Sequence, residues 1–326
     1  MSKDKVIEKR LNVRKFISGN SALVALIALF IITVILNGST FLNARNILNI
    51  FLNNSIIGII ALGMTLIIIT GGIDLSVGSQ LAASGLIAIS VLNATGNIPL
   101  GILAALMFGT FTGAVTGILI SRFNIPPFIV TLGTMSIYRS VSQHFFNGGG
   151  IRVEGSAKDA FIAISNTKLG GSVSIIIIYW LILSVIIAIF AARTATGRHI
   201  YAVGSNEKAT LLSGINVNKI KVITYAISGF LVSMAAIIEA ARLGSMNSAS
   251  SGSSYEMDAI AAVVIGGTSM SGGRGKIIGT IFGALTLGII NNMMNLLGVP
   301  TFLVSAIKGL IIIVAVLLQT VLNKKE

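Results

Sequence analysis

The sequence contains no cysteine and very little charge. Without cysteine, the chain cannot form disulfides, cysteine-ligated iron–sulfur clusters or cysteine-based zinc sites. Its two histidines, His144 and His199, are too few for a histidine-rich metal site. Charged residues make up 10% of the chain, against about 25% in soluble globular proteins. Hydrophobic residues make up 54%, and the mean hydropathy is +0.94. This balance predicts a protein embedded in a lipid bilayer.

The net charge of +13 raises the question of nucleic acid binding. The basic residues lie at the edges of apolar runs and not in one soluble domain, so we expect no nucleic acid partner. A basic stretch at residues 3–15 precedes an apolar run at residues 22–36, which resembles a signal peptide. No convincing small-x-small cleavage site follows it, and many more apolar runs do. We therefore expect a cytoplasmic tail at residues 1–17 and a first transmembrane helix after it.

Ten apolar runs approach the length of about 20 residues that a helix needs to cross the hydrocarbon core. The sequence therefore predicts an all-α polytopic membrane protein with about ten transmembrane helices. The third and eighth runs are short and interrupted by Gly and Ser, so either could be broken or re-entrant. The expected spans are residues 18–37, 48–70, 76–93, 98–120, 125–146, 173–192, 221–241, 256–271, 276–297 and 301–322.

Lysine and arginine are unequally distributed between the two sides of this arrangement. Sixteen of the 23 lie on the side of the N-terminus, five on the other side, and two, Arg139 and Lys308, within spans. The positive-inside rule then places both termini in the cytoplasm, which requires an even number of spans. Eight spans with two re-entrant hairpins would give the same distribution.

This topology divides the chain into a single transmembrane domain with two short tails. The domain covers residues 18–322, and the C-terminal tail, at residues 323–326, is cytoplasmic. The largest cytoplasmic loop, residues 193–221, carries five Lys/Arg and is expected to contain a Gly-rich turn followed by a short helix. The longest outside loop, residues 147–172, could receive an external partner or simply connect two spans.

A short pattern occurs twice, with a spacing of 195 residues. Residues 71–78 read GGIDLSVG and residues 266–273 read GGTSMSGG. Transporters are often built from duplicated halves with sites at Gly-rich helix breaks, although Gly and Ser also allow helices to pack closely in lipid. The second copy does not form a Walker A loop, because Met270 and Ile277 stand where that loop needs Gly and Ser or Thr. We therefore expect no ATP binding by that route, and no enzyme activity.

Polar residues within the apolar runs are candidates for a transport pathway. Amides and hydroxyls can bind a neutral polyol without bringing charge into the membrane, but they also serve as hydrogen bonds between helices. Asp74 could instead cap the helix that follows it, and Arg139 and Lys308 could snorkel or pair with a carbonyl. No paired carboxylates or histidine relay stand out, which argues against a proton-driven carrier. The candidate pathway residues are Asn53, Asn54, Thr65, Asp74, Ser76, Asn291 and Asn295.

The 193–221 loop contains the pattern of a short capped helix. Ser205 or Asn206 can cap it, and Glu207 favours its first turn. Ala209, Leu211 and Leu212 then provide an apolar face, and Gly214 can end the helix. The pattern predicts a short helix lying on the cytoplasmic face of the membrane, which could be a docking surface or an ordinary interfacial helix.

These motifs resemble the permease subunits of monosaccharide ABC importers, most closely the ribose-importing branch. The resemblance rests on residues 70–79 (TGGIDLSVGS), 213–221 (SGINVNKIK) and 255–268 (YEMDAIAAVVIGGT), together with the Glu207-x-Ala209…Gly214 pattern. It runs from about residue 41 to residue 325, nearly the whole chain. One departure is Lys208, which stands where the family's Glu-Ala-Ala has its middle alanine.

The resemblance implies a machine of several parts in the inner membrane. Two permease copies would form the pathway, a periplasmic protein would deliver the sugar, and a separate cytoplasmic ATPase would use the ATP and drive alternating access. The implied sugar is ribose or a related monosaccharide; an ion-coupled secondary sugar carrier is the alternative. The ATPase-coupling residues implied by the resemblance are Gly204, Glu207, Ala209, Leu211, Leu212, Gly214 and Ile215.

Overall fold

The structure is a computed structural model, and it describes residues 21–323. The predicted tail at residues 1–17 and residues 324–326 of the C-terminal tail therefore lie outside the described residues. Thirteen helices form most of the described part. They are α1 (Ser21–Leu42), α2 (Ala44–Ile69), α3 (Val77–Thr95), α4 (Ile98–Arg122), α5 (Pro127–Phe145), α6 (Lys158–Asn166), α7 (Ile175–Arg193), α8 (Ala195–Ser205), α9 (Glu207–Leu212), α10 (Val217–Leu243), α11 (Tyr255–Ile265), α12 (Ile277–Leu296) and α13 (Thr301–Asn323).

Each of the ten predicted spans coincides with one helix, with edges that differ by at most six residues. Among the described residues, seven helices, namely α1, α2, α3, α4, α7, α10 and α12, are long and apolar enough to cross a membrane. The protein is therefore a mostly helical, multi-pass membrane protein. The third predicted span is one continuous helix, α3, which its glycines do not interrupt.

The helix in the eighth predicted span is too short to cross the hydrocarbon core by itself. Its helix, α11, has 11 residues, which is about 16 Å at 1.5 Å per residue, roughly half of the 30 Å hydrocarbon core. The remaining residues of that run, and those up to α12, form a loop at residues 266–276. The run is therefore interrupted after Ile265, as its Gly and Ser content predicted.

The helix α2 runs through the centre of the bundle, with its side chains between Ile59 and Ile69 almost fully buried. Because lipid is as apolar as leucine, such helices associate through close packing and not through exclusion of water. Close packing is clearest between α4 and α10. Gly109, Gly113 and Gly117 recur every four residues on α4, and a Cβ at Gly117 would lie 2.7 Å from Val222 Cα on α10.

Large apolar side chains are exposed on the outer helices. They include Ile35 on α1, Phe111 on α4 and Val185 on α7. An apolar surface of this extent marks contact with a membrane or another protein. This exposure agrees with the bilayer location predicted from composition.

The two Gly-rich segments both end a helix in the same way. After α2, Gly71 N donates to Ile68 O (2.9 Å) and Gly72 N to Ile67 O (3.0 Å); after α11, Gly267 N donates to Val264 O (2.9 Å) and Thr268 N to Val263 O (3.2 Å). These pairs define two Schellman motifs, in which Gly71 and Gly267 have positive φ, at 79° and 84°. The structure thus matches Gly71 with Gly267, one residue away from the 195-residue register predicted from sequence.

The predicted outside loop at residues 147–172 is an ordered segment and not a plain connection. It contains β1 (Gly150–Arg152), α6 and β2 (Lys168–Leu169). β1 pairs antiparallel with β4 (Ser245–Asn247), β2 pairs with β3 (Val173–Ser174), and the Ser165 hydroxyl of α6 donates to Ile238 O of α10 at 2.8 Å. The segment is therefore tied to the C-terminal end of α10.

Candidate functional site

Four of the seven predicted pathway residues line one cavity between α2 and α12. Asn53 and Asn54 of α2 face Asn291 and Asn295 of α12 across a cavity of about 210 Å³. We call this cavity the amide pocket. Its remaining lining residues are Asn292, Tyr255, Asp258, Ile50, Ile57, Leu287 and Gly288.

The amide pocket combines hydrogen-bonded amides with one unused acceptor. The Asn54 amide donates to Ile50 O at 2.7 Å, and Asn46 and Asn292 exchange two hydrogen bonds of 3.1 and 2.7 Å between α2 and α12. Asn291 Oδ1 is buried and has no hydrogen-bond partner in the part of the chain that the structure describes. Buried polar atoms are normally paired, so this oxygen lacks the hydrogen-bond donor that such a position usually has.

The charged groups at the amide pocket are already engaged. Lys308 Nζ of α13 lies 2.9 and 3.0 Å from the two carboxylate oxygens of Asp258, and both side chains are about one-fifth exposed, at 21% and 18%. Arg242 at the end of α10 donates to Asn53 Oδ1 at 2.7 Å. Lys308 thus pairs with a carboxylate, where the sequence predicted snorkelling or a carbonyl partner. The Tyr255 phenol hydrogen-bonds to the Glu239 side chain of α10. The walls left for a ligand are therefore mainly neutral amides.

Arg139 of α5 has the carbonyl partners that the sequence predicted. Its Nη1 donates to Ser248 O and Ser251 O, each at 2.9 Å. Both carbonyls belong to the loop between β4 and α11. Arg139 therefore fixes that loop against α5.

The predicted helix in the 193–221 loop is present as α9. The Asn206 side chain, and not that of Ser205, caps it by accepting from Ala209 N at 2.9 Å. Leu211 and Leu212 are 62% and 88% exposed, so the described residues leave the apolar face uncovered. Gly214 has a positive φ of 80° just after the helix, and Ile215 N donates to Thr210 O at 3.3 Å.

Two features of this loop differ from the prediction. The expected Gly-rich turn is an eleven-residue helix, α8, which begins where Thr194 Oγ1 accepts from Gly197 N at 3.0 Å. The side chains of Ile200 and Val203, on the inner face of α8, are buried. Glu207 pairs within the chain, because its two oxygens lie 2.8 and 2.9 Å from Lys221 Nζ at the start of α10.

A second cavity, of about 300 Å³, lies beside the ion pair of Glu207 and Lys221. Its other walls are the turn after α2 (residues 70–72), the connection between α4 and α5 (residues 124–127), Ile120 and Tyr225. The Tyr225 hydroxyl donates to Ile73 O at 3.0 Å. This side of the molecule thus combines an exposed apolar helix with a polar cavity.

Comparison with known proteins shows which family carries the amide pocket and the exposed helix α9. A family model described as branched-chain amino acid transport system / permease component matches residues 46–316. The chain belongs to this family of permease components. The prediction of a transport subunit and not an enzyme is therefore confirmed.

Curated relatives extend the match over the whole permease. The chain is 41% identical over 328 residues to the ribose import permease protein RbsC of Escherichia coli strain K12, covering 100% of both chains. It is 41% identical over 294 residues to RbsC of Bacillus subtilis, covering 90% of each. It is 34% identical to the galactose/methyl galactoside import permease protein MglC of E. coli K12, covering 95% of this chain and 97% of the relative. No solved structure matches the chain.

Three predicted pathway residues of the permease lie outside the amide pocket. The Thr65 hydroxyl donates to Ala61 O and lies 2.7 Å from that of Thr280, so it connects α2 with α12. Asp74 Oδ1 accepts from Ser76 N (2.8 Å) and Ser76 Oγ (2.6 Å). Asp74 and Ser76 therefore close the turn before α3 and do not cap its first free N–H groups.

Sequence reasoning missed two polar residues of the amide pocket as pathway candidates. Tyr255 and Asp258 stand three residues apart on α11, a spacing that places both on one helix face. Asp258 and Lys308 carry opposite charges, but nothing in the local sequence places these two residues, 50 positions apart, side by side. No group of three or more potential metal ligands occurs among the described residues.

Proposed function

We propose that this chain is the membrane-spanning permease subunit of an ABC importer for ribose or a related monosaccharide. It moves the sugar by alternating access while a separate ATPase binds and hydrolyses ATP. The amide pocket is the observation that carries the proposal, because it places five amide side chains from two helices around a cavity inside a transport permease.

The chemistry of the amide pocket favours a neutral polyol over an amino acid. A zwitterion needs a cation for its carboxylate and an anion for its ammonium group. Lys308 and Asp258 pair with one another, and Arg242 donates to Asn53. The Tyr255 phenol hydrogen-bonds to Glu239, and the remaining amides can donate and accept hydrogen bonds. The names of the relatives, which import ribose and galactose, support a sugar, although the family description refers to branched-chain amino acids.

The proposed topology has ten membrane helices with both termini in the cytoplasm of the cell inner membrane. α5 and α13 join the seven long apolar helices. The tenth element is α11 with the loop at residues 266–276, which together form one discontinuous crossing. Discontinuous helices of this kind commonly carry the sites of transporters. Residues 18–322 form the single permease domain.

The proposed partners occupy opposite sides of this domain. The ATPase docks on the coupling residues of the 204–215 segment, where Leu211 and Leu212 are uncovered. A periplasmic sugar-binding protein delivers the sugar at the ordered segment that includes β1 and α6. A second copy of this chain completes the pathway against the exposed apolar helices. This chain binds no cofactor of its own.

Reconstitution tests the proposal as a whole. The chain is incorporated into liposomes with and without its ATPase and its sugar-binding protein, and uptake of radiolabelled ribose is followed at saturating ATP. We expect accumulation only when all three proteins and ATP are present. Accumulation by this chain alone, or accumulation that collapses with an ion gradient and not with ATP depletion, would overturn the proposal in favour of a secondary carrier.

A further inference from the structure

Three separate segments meet in backbone contact at one end of the amide-pocket helices. They are the end of α2 with its turn (residues 69–71), the end of α8 (residues 201–205) and the loop after α11 (residues 272–275). We call this contact the glycine junction. It joins the 204–215 segment to both of the Gly-rich helix ends that the sequence singled out.

The backbones at the glycine junction touch without intervening side chains. A Cβ at Gly204 would overlap Ile69 O and lie 2.6 Å from Gly273 N. A Cβ at Gly272 would lie 2.9 Å from Gly204 O and 3.1 Å from Gly71 N. Contacts this close leave no room for one segment to slide past another, because packed interiors transmit displacement and do not absorb it.

Two hydrogen bonds hold the three segments of the glycine junction together. Gly273 N donates to Ile69 O at 2.9 Å, which joins the loop after α11 to the end of α2. The Tyr201 hydroxyl donates to Gly275 O at 3.0 Å, which joins α8 to the same loop. Burial raises the pKa of the Tyr201 phenol, so the hydroxyl keeps its proton and remains a donor.

The helices that meet at the glycine junction are those that line the amide pocket. All residues of the pocket belong to α2, α11 and α12. α2 ends at the junction, α11 is followed by the junction loop, and α12 begins at Ile277, two residues after Gly275. A displacement of the junction would therefore move the ends of all three pocket helices that lie nearest to it. Rigid helices would carry this movement to the pocket.

We propose that the glycine junction is the element through which movement of the 204–215 segment repositions α2, α11 and α12 together, with Tyr201 and Gly204 as its positioning residues. The inference rests on the proposed function, in which a partner ATPase docks on that segment. It assigns Gly204 to the inner face of the segment, against the permease itself, and leaves Leu211 and Leu212 for the partner.

The test measures ATP hydrolysed per ribose transported in the reconstituted complete importer. Tyr201→Phe removes only the hydroxyl, and Tyr179→Phe is the matched control because its hydroxyl donates to Ile164 O, also at 3.0 Å. We expect Tyr201→Phe to raise the ATP consumed per ribose by about threefold to tenfold, as the loss of one hydrogen bond allows, and Tyr179→Phe to leave it unchanged. Gly204→Ala should raise it further, whereas Gly133→Ala, where a Cβ meets nothing within 4 Å, should not.

Assembly is measured in parallel by co-purification of the ATPase with each variant. An assembled Tyr201→Phe importer with wild-type coupling would overturn the inference, and so would loss of assembly in that variant, which would indicate a purely structural role. If the Gly204→Ala permease does not assemble with the ATPase, the Tyr201→Phe result alone tests the inference. A wild-type chain that binds no ATPase, or that transports without one, would instead refute the proposed function, so the two failures are distinguishable.

Discussion

The amide pocket and the glycine junction lie toward opposite ends of the same helices and are built in opposite ways. The pocket is made of side chains, holds about 210 Å³ of space and includes a buried amide oxygen without a partner among the described residues. The junction is made of backbone, and even a methyl group at Gly204 would overlap Ile69 O. A loosely filled end can exchange partners with a ligand, whereas a close-packed end can transmit a displacement. We therefore propose that the sugar passes through the first region and that the second couples this passage to the ATPase.

The largest effect should come from outside both regions, at the proposed docking face. Leu212→Asp places a charge on an apolar face that is 88% exposed in this chain. If the ATPase buries Leu212, the loss of about 1.5–3 kcal/mol of apolar burial should weaken ATPase binding by about tenfold to a hundredfold. The measurement is a binding titration of the ATPase against the permease in nanodiscs. Leu169→Ala, in the ordered segment near α6, is the control, and equal affinities for both variants would remove Leu212 from the interface.

The next effect should come from the ion pair that closes the amide pocket. Asp258→Asn leaves Lys308 without its carboxylate, and we expect a loss of about 1–3 kcal/mol in the free energy of unfolding, less than for a fully buried pair. Replacing both residues, as Asp258→Asn with Lys308→Met, should restore most of this loss. Thermal unfolding of the variants in detergent measures this loss of stability. A double variant as unstable as the single one would show that the pair does not act as a unit.

Pocket amides should have a smaller effect, confined to transport. Asn295→Leu removes an exposed polar wall, and we expect ribose uptake to fall by about twofold to tenfold, the equivalent of one hydrogen bond to the sugar. Binding of the ATPase should not change. Normal uptake in this variant, with Asn291→Leu also normal, would assign these amides to helix packing and remove them from the sugar pathway.

The smallest effect should come from Glu207. Its side chain is 52% exposed and pairs with Lys221, and exposed ion pairs contribute at most about 1 kcal/mol. Glu207→Ala should therefore lower transport by less than about fivefold, measured as initial ribose uptake, and raising the salt concentration should mimic it in part. A complete loss of transport would show that Glu207 contacts the partner directly.

Much of this architecture could be predicted from local sequence. Apolar runs located ten helices, and the Asn206–Gly214 pattern located α9 and its ends, because caps and periodicity depend on neighbouring residues. The same reasoning could not place Lys308 beside Asp258 or show that α8 continues through Gly197. Both outcomes depend on contacts between residues far apart in the chain.

The candidate sites show the same limit. Amides in two apolar runs suggested a polar pathway, and four of them share the amide pocket, but Thr65 and Asp74 have other partners. Gly204 was predicted as part of the coupling segment from its position in a motif. Only the three-dimensional contacts show that it faces Ile69 and Gly273. A motif identifies which residues matter, while packing decides what each of them touches.

The most direct test follows access to the amide pocket while the nucleotide state changes. The chain has no cysteine, so Asn295→Cys provides a single thiol at the pocket. Its rate of reaction with a membrane-impermeant thiol reagent is measured in the complete importer, without ATP and after trapping with vanadate. We predict different rates in the two states, a difference that shrinks with Tyr201→Phe and persists with Tyr179→Phe. An undiminished difference in the Tyr201→Phe importer would contradict the claim that the glycine junction couples ATP to the pocket.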